Sequence, residues 1–347
     1  MQVGKTGLVA LLGLILIIGS MTVYNFYTIS QLNEKIDELT ANLNFIFGVE
    51  VFKDVYGSTI LIIPQGIEVP DILTFGRTIV RVPPQRIASF SPGVTETLFA
   101  IGKGNQVVAV TKYCDWPQEV VDKKQAGELV VFENTVDPEV EKVVAANPDL
   151  IFVGTWMRPE GVAKLEELGF PVVGIDYGES LDDIYSAITL IGKLTGAEDS
   201  AENLVSELEQ NITRVTNAVA NLPKPKVFWM TWHNPLMSAG GPILLNTLIQ
   251  AAGGVNIFED VDIAWPFVSS EDVLAQNPEV ILLSDPDLKV MISNIDDLLN
   301  LFPAWSEITA VKEGKLFALP NFVVQPGPRT AEAIEIIAEL LHPEIEL

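Results

Sequence analysis

The chain has 347 residues, is 48% hydrophobic and carries a formal net charge of −25. That length suits about two domains, and the apolar content excludes a disordered chain. The acidity excludes a nucleic-acid partner, because phosphate binding needs clustered Lys and Arg.

Residues 6–33 lack any charged side chain, and residues 7–29 are almost wholly apolar. As a helix, about 23 residues span roughly 34 Å, enough to cross a bilayer core. Tyr24, Phe26 and Tyr27 lie at the far end, where interfacial aromatics belong, and Lys5 favours a cytoplasmic N-terminus. Residues 1–29 are therefore expected to form a single-pass transmembrane anchor in the cell membrane, with the binding domain extracytoplasmic. A cleaved signal segment is the competing reading, but it calls for a shorter apolar run and a small-residue cleavage site that is not evident. The lone cysteine, Cys114, forms no internal disulfide, and none directly follows the apolar segment, which excludes a bacterial-type lipoprotein anchor.

Residues 30–48 predict a helical stalk. Ile29, Leu32, Ile36, Leu39 and Leu43 follow alternating spacings of three and four, too short a seam to establish a coiled coil. Residues 49–85 predict a leader of short strands, with Gly57, Gly66 and Gly76 at turns and Pro83-Pro84 at the end.

From Arg86 onward, apolar strands alternate with helices, the pattern of a parallel sheet covered on both faces. Residues 86–180 form the expected N-terminal lobe and residues 223–347 the C-terminal lobe. EKVVAANPDLI, from Glu141, matches EDVLAQNPEVI, from Glu271, so the lobes are expected to share a fold. Residues 181–222 carry helical periodicity, with two segments meeting near Gly196, and predict one long bridging helix. Asn211-Ile-Thr on it is a glycosylation acceptor pattern.

RIASFSPGVTETLFAIG, NPDLIFVG, AAGGVNIF, AWPFVSSEDVLAQNPEVILL and AVKEGKLFALP occur in this order. Together they resemble the cobalamin and ferric-siderophore class of ABC-importer binding proteins over about residues 50–345. KYCDWP, NPLMSAGG and GGVNIFEDVDIAWPFVSSEDV are most similar to the cobalamin-binding members. The resemblance implies two Rossmann-like α/β lobes with parallel sheets, a long helix between them and a ligand in the cleft. Open α/β sheets bind ligands beyond the carboxyl ends of their strands, which fits. The implied ligand is a cobalt corrinoid, with haem or a ferric siderophore as the alternative; a tethered ligand sensor is a third reading. No protein-bound cofactor or metal is expected. The implied partners are the permease and its ATPase.

Tyr113, Trp156, Trp232, Trp265 and Phe322 follow predicted strands or lie in loops. They are candidates to cover the faces of a large flat ligand, together with His233, Met237 and Gln325. Trp229, inside a strand, reads as core, and Trp116 and Trp305 are open. Asn321, Phe322 and Gln325 stand where cobalamin binders can carry an acid and an arginine, which suggests an uncharged ligand edge there. Arg158 and Arg329 are the basic residues best placed to meet an anionic ligand. Glu141 and Glu271, one per lobe, match the family's permease-docking acids; a carboxylate pairs bidentately with arginine. An acid in a first helical turn is also favoured by the helix dipole alone. Two histidines and one cysteine leave few candidates for catalysis, no Walker loop or complete dinucleotide fingerprint occurs, and the protein is not expected to be an enzyme.

Overall fold

The computed structural model describes residues 49–67 and 78–347. The expected anchor and stalk lie outside them, as does residues 68–77 of the leader. Among the described residues no helix is long and apolar enough to cross a membrane. Two units are distinguishable, each with its own sheet and core. The first holds residues through Ser91, Asn105–Ile175 and Lys193–Gly196; the second holds Pro92–Gly104, Asp176–Gly192 and Ala197–Leu347.

In the first unit the leader forms a three-stranded sheet, β1 (Glu50–Lys53), β2 (Thr59–Pro64) and β3 (Thr78–Val82), in that order. β1 runs antiparallel to β2, and β3 parallel to it. Val49, Leu61 and Ile63 are buried on it. The larger sheet contains β4 (Ile87–Ser89), β5 (Val107–Thr111), β6 (Val130–Phe132), β7 (Leu150–Gly154) and β8 (Val172–Ile175), in the order β6-β5-β4-β7-β8. All its pairings are parallel, so every carboxyl end lies on one edge. The apolar strands bury both faces: Ala88, Phe90, Ala109, Ile151, Val153 and Val172 share a core with Val143, Val162 and Leu165. Those last residues come from α3 (Val140–Ala146) and α4 (Pro159–Glu167). The helix after β4, α1 (Pro92–Ala100), belongs to the second unit, and α2 (Gln118–Gln125) to the first.

The expected single bridging helix is instead two, α5 (Leu181–Thr195) and α6 (Glu198–Val219). Gly196, with φ +64°, supplies the left-handed residue that stops α5. Gly192 lets Ala201 of α6 come close, because a Cβ on Gly192 would collide with the Ala201 methyl. Glu198 and Asp199 open α6, where acids suit the positive end of the helix dipole. Asn211 is exposed on α6.

The second unit's sheet has the order β10-β9-β12-β13, from β9 (Lys226–His233), β10 (Leu236–Ser238), β12 (Val280–Leu283) and β13 (Leu316–Ala318). The short β11 (Val255–Asn256) pairs parallel with the start of β9. The expectation of parallel sheets needs one correction: β10 is antiparallel to β9. The cause is local, because only Asn234 and Pro235 separate the paired His233 and Leu236, too few residues for a parallel crossover. Around the sheet stand α7 (Leu244–Ala251), α8 (Ser270–Gln276), α9 (Pro286–Met291), α10 (Ile295–Leu301), α11 (Thr309–Lys312) and α12 (Thr330–Leu341). Phe228 and Trp305 meet edge-on in the core, with ring centroids 5.7 Å apart. Trp229 is fully buried as expected, its indole N–H donating to Ser284 Oγ at 2.9 Å.

The sequence repeat is structural. Asn147 and Asn277, at φ 44° and 49°, end α3 and α8 in the left-handed conformation. The acids that follow each repeat's Asn-Pro then hold the start of the neighbouring strand. Asp149 accepts from the Arg86 amide, and Glu279 from the Lys226 amide, both at 2.8 Å. The side chains of Arg86 and Lys226 in turn donate to Ala146 O and Gln276 O.

Candidate functional site

In the first unit, β5 and β7 flank β4, and each is followed at its carboxyl end by an aromatic residue. Tyr113 is 53% exposed, with the Lys112 ammonium 5.2 Å from its ring centroid. Cys114 beside it is buried, its sulfur 3.2 Å from Thr111 Oγ1. Trp156 is 44% exposed, on a turn closed by the Met157 amide donating to Gly154 O at 3.1 Å. Its indole lies against Gly154, where a Cβ would sit 2.5 Å from the ring. Phe90 and Phe132, at the carboxyl ends of β4 and β6, stack in the core with 4.2 Å between ring centroids. Trp116 is half-buried.

In the second unit, β9 ends in Trp232 and His233 and returns through Asn234-Pro235 into β10. Trp232 Nε1 donates to Asn234 O at 3.0 Å, and its ring centroid is 5.1 Å from that of His233. His233 Nδ1 is buried without a hydrogen-bond partner. A strap from Ala264 to Val268 lies along β10: Gly240 N donates to Ala264 O, Ser238 N to Pro266 O and Val268 N to Leu236 O. A Cβ at Gly240 would collide with Ile263 O, which gives Ala-Gly-Gly after Ser238 a steric reason. Met237 is the register partner of Trp232 on one side and of Phe267 on the other. Directly opposed residues project to the same face, so Trp232, Met237 and Phe267 form one cross-strand row. Phe267 is 72% exposed, and Trp265, two residues earlier on the strap, 47%.

The loop after β13 carries Phe322 and Gln325. Phe322 sits in a 3-10 turn, Asn321–Val324, with the Arg329 guanidinium 4.1 Å from its ring centroid. Gln325 Oε1 is buried without a partner. Asn321 Oδ1 accepts from the Lys289 ammonium, which also donates to Leu319 O at 2.7 Å. Burial holds the Lys289 pKa below the usual lysine range, with the Asp285 charge opposing the shift.

Arg329 is not available to an anionic ligand: it pairs bidentately with Glu96 of α1, Nε to Oε2 being 2.9 Å. Arg158 pairs with Asp137 at 3.0 Å on the surface. The segment 325–327 also lies directly on α1. A Cβ at Gly93 would collide with Pro326 O, and Tyr177, bonded to Thr97 at 2.8 Å, stands beside it. Burial raises the Tyr177 hydroxyl pKa well above the usual tyrosine range, the Thr97 bond opposing the shift and the Glu96 charge adding to it. Gly93→Ala is expected to destabilise by about 1–3 kcal/mol, the usual cost of overpacking, read as a lower urea midpoint.

The structure thus gathers Trp232, His233 and Met237 on one hairpin, with Trp265 on the strap bonded to it. Phe322 and Gln325 follow β13, and Tyr113 and Trp156 belong to the first unit. Sequence reasoning missed Phe267, whose role depends on the strap's pairing with β10. It also missed Glu96, whose partner is 233 residues away. Trp305 is core.

Glu141 and Glu271 each occupy the second position of α3 and α8, and both are exposed. Ser269 caps α8 in a reciprocal box with Asp272, whose pKa the Ser269 hydroxyl and amide hold down. α3 begins at Val140, after Asp137-Pro138. Glu139, just before it, turns its carboxylate to the Glu133 amide and to Lys142. Among the described residues no group of three or more His, Cys, Asp and Glu is arranged to hold a metal ion.

Residues 87–322 match the family described as Periplasmic binding protein. The chain belongs to this family. An uncharacterized ABC transporter substrate-binding lipoprotein of Bacillus subtilis, YvrC, is 26% identical over 269 residues, 75% of this chain and 81% of its own. The vitamin B12-binding protein of Vibrio cholerae is 28% identical over 264 residues, covering 75% of this chain and 90% of that one. The crystal structure of periplasmic vitamin B12-binding protein from that organism superposes with a TM-score of 0.61, covering 76% and 98% of the two chains. The periplasmic haem-binding protein RhuT of Roseiflexus sp. RS-1, in apo form, superposes at 0.67, with 25% identity over 75% of this chain and 98% of its own. As a periplasmic binding protein, the chain fits a capture role better than a catalytic one.

Proposed function

We propose that this periplasmic binding protein captures a corrinoid and delivers it, chemically unchanged, to the permease of an ABC importer driven by its ATPase. The observation that carries the reading is the row of Trp232, Met237 and Phe267, anchored by backbone pairing yet open to solvent at Phe267. Large exposed apolar groups on a fixed frame mark a binding surface. A corrin offers a broad face for such a row to cover, and the likeness to vitamin B12-binding proteins supports that ligand class. Trp265, Phe322 and Gln325 are further ligand contacts proposed for the second unit, and Tyr113 and Trp156, after β5 and β7, are those proposed for the first. Glu141 and Glu271 dock on arginines of the permease. Residues 1–29 tether the protein so that binding takes place outside the cytoplasm, and the tether raises its concentration near the transporter.

A haem ligand is the second reading. His233, with one ring nitrogen buried and unpaired beside Trp232, and the likeness to RhuT favour it. Calorimetric titration of the full-length protein with cyanocobalamin, cobinamide, haem and a ferric siderophore separates the two. One-to-one corrinoid binding is expected. Loss of one aromatic contact costs about tenfold in affinity, so Phe267→Ala and Trp265→Ala should each weaken binding by about that factor. Haem binding without corrinoid binding, abolished by His233→Ala, overturns the corrinoid reading.

A further inference from the structure

We propose that the turn at residues 54–57 of the leader sheet is a positioning element for the Trp156 loop, with Tyr56 the residue that acts. The proposal rests on the reading of Trp156 as a ligand contact. The family match begins at residue 87, so the leader lies outside the matched segment. Its placement against the first unit's sheet is nevertheless specific.

Asp54 organises the turn. Its Oδ1 accepts from the amides of Tyr56 at 3.0 Å and Ser58 at 2.9 Å, while Gly57 N donates to Asp54 O. The other carboxylate oxygen, Oδ2, accepts from the amide of Gly174 at 2.8 Å. Gly174 is in β8, the last strand in the order of that sheet, so Asp54 satisfies an amide on its edge. Gly174 is also the residue that admits the turn. A Cβ there would sit 2.6 Å from both the Tyr56 ring and the Val55 side chain.

Held this way, Tyr56 packs against the first unit's core and aims its hydroxyl at the next strand's end. The O–H lies 2.6 Å from Gly154 O and 2.9 Å from Met157 O. Those carbonyls are the first and last of the turn that carries Trp156. One hydroxyl proton shared between them fixes the turn's two ends relative to each other. The Trp156 ring rests on Gly154, so moving the Gly154 peptide moves the indole. Burial, and then the Asp54 charge, raise the Tyr56 pKa, which keeps the group protonated as a donor. The ring itself packs without the hydroxyl, so the positioning role is separable from the packing role.

The test is Tyr56→Phe, alone and with Trp156→Ala, in the full-length protein. Cyanocobalamin affinity is expected to fall about three- to tenfold in Tyr56→Phe, the range one hydrogen bond supports. It should not fall further when Tyr56→Phe is added to Trp156→Ala, because coupled residues do not add. Gly174→Val, which displaces the Tyr56 ring, should reproduce the loss. Equal losses in both backgrounds, or no loss in a protein where Trp156→Ala weakens binding, overturn the positioning role. No loss in Trp156→Ala itself overturns the ligand role of Trp156, and the proposal with it. Amide hydrogen exchange at residues 155–157 requires no ligand. It should accelerate in Tyr56→Phe while exchange across β5 and β6 stays unchanged. Unchanged exchange at 155–157 also overturns the proposal.

Discussion

Glu96→Ala lowers the unfolding free energy by about 3–5 kcal/mol, the cost of stripping one partner from a buried ion pair. The geometry leaves little relief: side-chain exposure is 4% for Glu96 and 12% for Arg329. With the carboxylate gone, the guanidinium keeps its burial and the Phe322 face but loses its counter-charge. With the side chain only 12% exposed, fuller hydration calls for the loop after β13 to shift against α1. Ligand affinity should therefore fall along with stability, because Phe322 and Gln325 share that loop. Urea unfolding measures the first effect and calorimetry the second. Removing both charges in Glu96→Ala with Arg329→Leu should recover part of the loss, since no unpaired charge remains buried. A double variant as unstable as the sum of the single ones would show that the pair's packing matters more than its charge.

Charge reversal of both Glu141 and Glu271 to Lys abolishes transport while leaving ligand affinity within about twofold, as expected for substitutions outside the binding surface. Each carboxylate is exposed at the second position of a seven-residue helix, and the two helices are the equivalent elements of the repeat. Neither appears in a salt bridge among the described residues, so neither is consumed by the fold as Glu139 is by Lys142. Two acids on separate units suit orientation of a docked protein, since attraction between complementary charges fixes register as well as rate. Uptake of labelled cyanocobalamin by cells expressing the transporter, set beside calorimetry on the purified variant, checks the expectation. Lost affinity would mean that the two glutamates support the fold rather than docking.

The repeat was legible because its cause is local. An Asn that ends a helix in the left-handed conformation, followed by Pro and an apolar strand, leaves the same sequence mark twice, at Asn147 and Asn277. The break at Gly196 was equally visible in the glycine, although one helix rather than two was expected across it. Trp229 declared itself as core by its place inside an apolar strand. Other features depend on pairings that no local pattern encodes. Arg329 reads in sequence as a candidate for an anionic ligand or an ion pair, and only the fold shows its partner, Glu96 of α1. Phe267 became a binding candidate only through its register with Met237. The expected N-terminal lobe, residues 86–180, includes α1 because the segment reads as a β4 crossover, while the ion pair and the Gly93 contact tie that helix to C-terminal segments.

The division of the chain has a consequence for the order in which the protein matures as it is made. The last stretch of the first unit ends at Gly196, so that unit has all its residues while much of the chain is still unsynthesised. The second unit takes Pro92–Gly104 from near the beginning and needs Arg329 from near the end. Units of this kind fold as they are completed during synthesis. A nascent chain halted between residues 196 and 329 should therefore carry a finished first unit and a Glu96 carboxylate that has not yet met Arg329.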